Sequence, residues 1–155
     1  MKHFWCVLFV VCFVSAQPIQ TETSKDCSWS TSIGFSSEKI AISFYDGSIL
    51  YNIDENSELY GTLTSIGFIS GIGLGYKYYI GGKSKSSIFV NTGTQIYITN
   101  DPLDAGAALS TAAGLSLKKT GEKTSFNIGI SLLFLFEEYN DGKLLIPFIN
   151  LQRRI

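Results

Sequence analysis

Hydroxyls, carboxylates, lysines and one histidine are the groups in this chain whose types could do chemistry. A serine hydroxyl attacks an acyl centre usefully only beside a base that takes its proton. The one histidine, His3, lies ahead of the apolar run from Phe4 to Val14 and is expected to leave with it. A serine–lysine arrangement using Lys77 is the remaining form of that chemistry. The blander reading places Lys77 and Lys118 at strand ends near a rim. Carboxylates gather at Asp54, Glu55 and Glu58, at Asp101 and Asp104, and at Glu137, Glu138 and Asp141. Such oxygen donors suit Ca²⁺, but none has the spacing of an EF-hand loop, and they read as solvated loops. Gly71-x-Gly73-x-Gly75 superficially has the spacing of a nucleotide loop. It lacks both a following helix and a Gly-Lys-Ser/Thr sequence, so it reads as a strand whose one face carries no side chains. No catalytic, cofactor-binding or metal-binding residue is assigned, and enzymatic activity is not expected.

The elements that position these groups begin after a leader. Met1-Lys2-His3 is a short positive head, Phe4 to Val14 an unbroken apolar stretch, and Val14-Ser15-Ala16 a set of small residues of the kind a signal peptidase reads. The stretch is short of the about 20 apolar residues that span a bilayer as a helix. Residues 1–16 therefore read as a cleaved signal peptide, 17–27 as a flexible N-terminal segment and 28–155 as the folded domain. Cys6 and Cys12 leave with the signal, so Cys27 has no intramolecular partner. Neither Cys12 nor Cys27 follows the small residues that a lipoprotein anchor needs.

The chain has 155 residues, a formal net charge of -1, 45% hydrophobic and 16% charged residues, and a mean hydropathy of +0.20. This excludes a disordered chain, and the absence of a basic excess excludes nucleic acid as a partner.

From Ser28 onward the hydrophobic period is two, the signature of strands. Phe126, Ile128, Ile130, Leu132, Phe134 and Phe136 share one face, and Asn127, Gly129 and Ser131 the other, joined late by Leu133 and Leu135. Leu109, Thr111, Ala113, Leu115 and Leu117 oppose Ala108, Ser110, Ala112, Gly114 and Ser116. Ile72, Leu74, Tyr76, Tyr78 and Ile80 oppose Gly71, Gly73, Gly75, Lys77 and Tyr79. Ile88, Val90, Ile96 and Ile98 oppose Asn91, Gly93, Gln95 and Tyr97. With turn residues as punctuation, Asp46-Gly47 among them, the pattern predicts strands near 28–36, 39–45, 48–53, 71–80, 88–99, 106–118, 124–136 and 144–155. Residues 58–70 fit a loop, a ninth strand or the start of a longer strand.

A soluble barrel wets its outer face with charge. Here only Lys39, Lys77, Lys118, Arg153 and Arg154 fall within the predicted strands, and the non-apolar face is Gly, Ser, Ala and Asn. Small residues suit the inside of a narrow closed barrel. The apolar face then points into lipid, where every backbone group must be paired and the sheet must close. The fold class expected is all-β, a closed antiparallel up-and-down transmembrane β-barrel of about eight strands. Gly73, Gly75, Lys77, Asn91, Gln95, Asn127, Gly129 and Ser131 are expected to face the lumen. Ile72, Leu74, Leu115, Ile128, Ile130 and Leu132 are expected to face lipid. Tyr76, Tyr78, Tyr97, Phe134 and Phe136 are candidates for the interfacial belts. Arg153 shares a face with Leu151 and Ile155, where a long cation snorkels to the interface.

The signal, the alternation, the strand Gly73 to Tyr79 (Gly-Leu-Gly-Tyr-Lys-Tyr-Tyr) and the ending Pro147 to Leu151 (Pro-Phe-Ile-Asn-Leu) resemble small bacterial outer-membrane β-barrel proteins of the eight-stranded OmpA/OmpX-like class. The resemblance implies an outer-membrane location, outer-membrane lipid and the insertion machinery as partners, and both termini in the periplasm. Asp46-Gly47, 81–87 and 119–123 are then periplasmic turns, while 37–38, 53–70, 100–105 and 137–143 face outside. In this topology Lys39 and Glu137 come within reach of each other across the outer lumen. The function expected is a structural, interaction or adhesion role with the lumen filled by side chains. A small channel, a secreted soluble barrel holding an apolar ligand, and a lipid-acting enzyme without histidine are the alternatives. The extracellular partner is not readable from the residues.

Overall fold

The computed structural model describes residues 27–39, 43–65, 69–99, 104–136 and 141–155. The proposed signal, residues 17–26, Glu137 and Glu138 lie outside the described residues. Eight antiparallel strands form one closed barrel: β1 (Cys27–Ser36), β2 (Ser43–Asn52), β3 (Ser57–Ser65), β4 (Ile69–Ile80), β5 (Ser87–Thr99), β6 (Asp104–Leu117), β7 (Thr124–Phe136) and β8 (Asp141–Arg154). Each strand pairs with its sequence neighbours, and β1 closes on β8 from Ser30↔Arg154 to Phe35↔Ile149. Closure leaves no sheet edge over the paired length.

The alternating pattern dictates the two surfaces. Ile72, Leu74, Leu115, Ile128 and Ile130 are exposed on the outer surface, and Leu132, on the same row, is half-buried. The residues between them point inward, and the interior is mainly polar: serines, threonines, asparagines and four ionised side chains from the wall. A water-soluble protein has the opposite arrangement.

Two expectations on the strands are corrected. The predicted strands 39–45 and 48–53 are parts of one strand, β2, and Asp46-Gly47 lies inside it, paired with Ser32 and Thr31 on β1 and with Thr64 and Leu63 on β3. The Asp-Gly pair makes no turn because Asp46 has better partners inside the barrel: Ser32 Oγ donates to its Oδ1 at 3.1 Å. The stretch 58–70 supplies β3 and the start of β4. The count of eight stands, with one predicted strand fewer at Asp46 and one more at Tyr60.

The same correction moves a connection. The turn 53–56 now lies at the end of the barrel where β1 starts and β8 finishes, together with 81–86 and 118–123, and not at the opposite end. In the 81–86 turn both Gly81 and Gly82 have φ of 95°, a left-handed conformation that L side chains rarely adopt.

Candidate functional site

The interior of the barrel is the candidate site. It starts from a departure in β1. Gly34 has φ 126°, and the β1–β2 register shifts between Ile33 and Ser36. A Cβ at Gly34 would stand 2.6 Å from the Ile149 carbonyl oxygen, so only glycine lets β1 bend there against β8. Beyond the bend the chain turns inward, and Ser36, Ser37, Glu38 and Lys39 are all buried. Ser131 Oγ donates to Ser37 Oγ at 2.6 Å. The 37–38 segment was expected as an exposed outer loop; here it enters the lumen.

Three groups of charges hold this interior. In the first, Lys77 of β4 forms an ion pair and hydrogen bond with Glu38, both side chains essentially inaccessible. Asn91 Nδ2 donates to the Glu38 carbonyl at 3.0 Å, and Asn150 Nδ2 to Glu38 Oε2 at 3.4 Å. The ammonium also stands 3.6 Å from the centroid of the Phe89 ring, a cation–π contact. In the second, Lys39 Nζ lies 3.7 Å from Asp46 Oδ1 and donates to Ser48 Oγ at 3.0 Å. In the third, at the end where β1 starts and β8 finishes, Arg154 Nη2 donates to Glu58 Oε2 at 2.6 Å, and Tyr79 OH donates to Glu58 Oε1 at 2.8 Å. Every buried carboxylate thus faces a cation, the condition under which buried charge persists.

Aromatic rings fill the remaining space, and glycines make room for them. Tyr60 OH donates to Asn91 Oδ1 at 2.8 Å, and a Cβ at Gly93 would meet that hydroxyl at 2.6 Å. Tyr79, Phe89 and Phe148 form a row with successive ring centroids 6.1 Å apart. A Cβ at Gly129 would stand 2.7 Å from Phe148 Cζ. The paired glycines Gly75↔Gly93 and Gly114↔Gly129 are therefore seats for inward rings.

Of the residues expected in the lumen, Lys77, Asn91, Gln95, Asn127 and Ser131 are buried there, and Gly73, Gly75 and Gly129 lie on the inward face. Lys77 is deep in the interior and not at a rim. Lys39 faces Asp46, and the expected partner Glu137 lies outside the described residues. Tyr97 leaves the belt group: its ring lies against Gly106 on the inward rows of β5 and β6. The carboxylate group 54–58 is divided. Glu58 turns inward to Arg154, while exposed Asp54 accepts the Asn56 N–H at 2.7 Å. Sequence reasoning missed Glu38, Asp46, Glu58, Tyr60, Phe89 and Phe148 as interior residues. For Phe89 and Phe148 the signal was present, since each falls on the small-residue row of its strand.

At the mouth beside Arg154, Lys83 Nζ donates to the Ser57 carbonyl at 3.3 Å and Lys118 Nζ to the Lys83 carbonyl at 3.4 Å. Burial lowers the pKa of both lysines; the nearby Arg154 lowers them further, and Glu58 opposes the shift. The arrangement neutralises charge and fills volume. Lys77 is engaged by Glu38, and Ser48, the serine that contacts a lysine, is only 1% exposed.

No protein-family model and no curated protein sequence matches the chain. Among solved structures, the N-terminal β-barrel domain of Pseudomonas aeruginosa OprF superposes with a TM-score of 0.63 over 84% of this chain and 98% of that one, at 15% sequence identity. At that identity the likeness is one of fold: this chain and that domain share an eight-stranded up-and-down barrel.

Proposed function

We propose that the chain is an outer-membrane β-barrel protein with a structural or interaction role and a lumen closed by its own side chains. The observation that carries this reading is the inverted polarity: isoleucines, leucines and valines cover the outside of a closed sheet while paired charges occupy the inside. Lipid is the solvent in which that surface is stable. The fold shared with the OprF barrel domain supports the same location. Export runs through a signal peptide cleaved after Ala16, and the outer-membrane insertion machinery and lipid are the partners this location requires. The protein is not an enzyme in this reading, because its interior lysines and carboxylates are committed to one another.

A narrow eight-stranded barrel holds side chains and not a water column, and here the inward segment Ser36–Lys39 adds to the filling. The test is reconstitution of the full chain into planar bilayers. The expected result is a protein that needs detergent for release, migrates differently on a gel before and after heating, and gives no steady nanosiemens-scale steps. Such steps would establish a channel, and release in buffer without detergent would establish a soluble barrel.

A further inference from the structure

At the end of the barrel where β1 starts and β8 finishes, the turns 81–86 and 118–123 are fixed side by side. Ser86 Oγ donates to the Lys118 carbonyl at 3.0 Å and accepts the Lys118 N–H at 2.8 Å. Lys118 Nζ donates to the Lys83 carbonyl at 3.4 Å, and Lys83 Nζ to the Ser57 carbonyl at 3.3 Å. Ser57 precedes Glu58, the carboxylate that holds Arg154. Lys83, Lys118 and Arg154 therefore gather over one mouth, each partly buried. Glu58 answers Arg154, but among the described residues neither Lys83 nor Lys118 forms an ion pair. Asp54 and Glu55, exposed on the adjoining turn, act on Lys83 only from beyond ion-pair distance.

The wall below the mouth adds neutral groups on the same side. Ser87 pairs with Ser116, and Ser116 with Asn127, so Ser87 and Asn127 share one inward row two strands apart. Ser87 Oγ and Asn127 Oδ1 are buried and have no hydrogen-bond partner among the described residues. Asn127 is fully buried, and its Nδ2 donates to Asn150 Oδ1 at 3.0 Å and Gln152 Oε1 at 3.3 Å. Those two acceptors fix which end of the amide is left over. A buried polar atom without a partner is rare and calls for a bound group. Water would satisfy the hydroxyl and the amide oxygen but leave two cations unanswered, whereas an oxyanion answers all four. Two strand spacings are about 10 Å, a gap that a tetrahedral oxyanion fills with a hydrogen bond on each side.

We propose that this mouth binds a phosphate group, free or as a monoester, from the water on this side of the barrel. Lys83 and Lys118 supply the charge, and the Arg154 N–H groups not used on Glu58 add donors. Ser87 Oγ donates to a phosphate oxygen. Asn127 Oδ1 accepts the P–OH proton that a phosphate, unlike a sulfate, keeps. The mouth faces water whichever solvent surrounds the wall, so the site stands apart from the membrane reading.

The test is isothermal titration calorimetry of the full chain in micelles at constant ionic strength. The titrants are sodium phosphate, glycerol phosphate and sodium sulfate at about pH 6.5, near the second pKa of a phosphate monoester. The expected result is one saturable site for phosphate, with sulfate weaker. Affinity falls about tenfold in Lys83→Gln and in Lys118→Gln and about threefold in Ser87→Ala. It is unchanged in Lys119→Gln, whose exposed ammonium faces Glu122. Ser87→Ala removes a hydroxyl without a partner, so the barrel is expected to form as before, and circular dichroism checks it. Binding of either phosphate or glycerol phosphate supports the site, and the tighter of the two names the source. Absence of a saturable heat, equal affinity for sulfate, or equal loss in Lys119→Gln would overturn it.

Discussion

Glu38 and Lys77 are 39 residues apart in sequence and form an ion pair inside the barrel, one from a connection and one from the wall. The pair is the inner anchor of the segment that β1 sends into the lumen after the bend at Gly34. Its position explains why residues 37–39, at a barrel end, are buried: the Glu38 charge is satisfied inside.

Removing one partner leaves the other buried and unpaired. Glu38→Gln and Lys77→Met are each expected to cost about 3–5 kcal/mol, and the double variant less than the sum, because neither charge is then left buried without its partner. Urea titration of the four proteins refolded in vesicles measures the coupling. Additive losses would show that the two charges do not act as a pair.

Glycines separate into those that seat a ring and those that do not. Gly129→Ala places a methyl against Phe148 and the neighbouring strand, and overpacking of this kind costs about 1–3 kcal/mol. Gly47→Ala meets nothing within 4 Å and Gly47 has no positive φ. It should be neutral or stabilising by about 0.5–1 kcal/mol. Denaturant midpoints of the two variants check the contrast, and equal losses at both positions would overturn it.

The faces of β4 to β7 were legible because the period is strictly two, and a slip of one residue would invert every side chain. What was not legible is where short-range signals and interior partners disagree. Asp46-Gly47 has turn chemistry, yet Asp46 is drawn inward by Ser32, Ser48 and Lys39. Ser37-Glu38 has loop composition, yet Lys77, Asn91 and Asn150 hold it in the lumen. Those partners come from distant strands, so no local window contains the cause. The closeness of Gly93 to Tyr60 has the same character: the glycines announce space, but only the closed barrel decides which ring fills it.

The outer surface has a depth profile. Ile130 lies near the middle of β7 and Phe136 at its end. Arginine at Ile130 should cost about 2–4 kcal/mol, the scale for a cation at the bilayer midplane, and at Phe136 about 0–1 kcal/mol. Denaturant titration in vesicles reads both. Equal tolerance at the two sites would reverse the assignment of the apolar face to lipid.

Lys83 and Lys118 give the mouth a pH dependence whose sign follows from their surroundings. Burial comes first among the causes that lower both; Arg154 acts in the same direction, and Glu58 opposes it. Between its folded value and the ordinary 10.5, each lysine holds fewer protons in the barrel than in the unfolded chain. Stability contributed by this mouth therefore rises with pH across that interval and is lowest and constant below it, where both lysines are charged in the folded and the unfolded chain alike. Glu58→Gln removes the opposing charge and should lower both lysine pKa values further, extending the interval to lower pH. Titration of isotope-labelled dimethyl-lysines by NMR follows each group directly, with heat-modifiable migration confirming that the variant barrel has formed. Unchanged lysine titrations in Glu58→Gln would show that Glu58 acts on Arg154 alone and that the mouth is not one electrostatic unit.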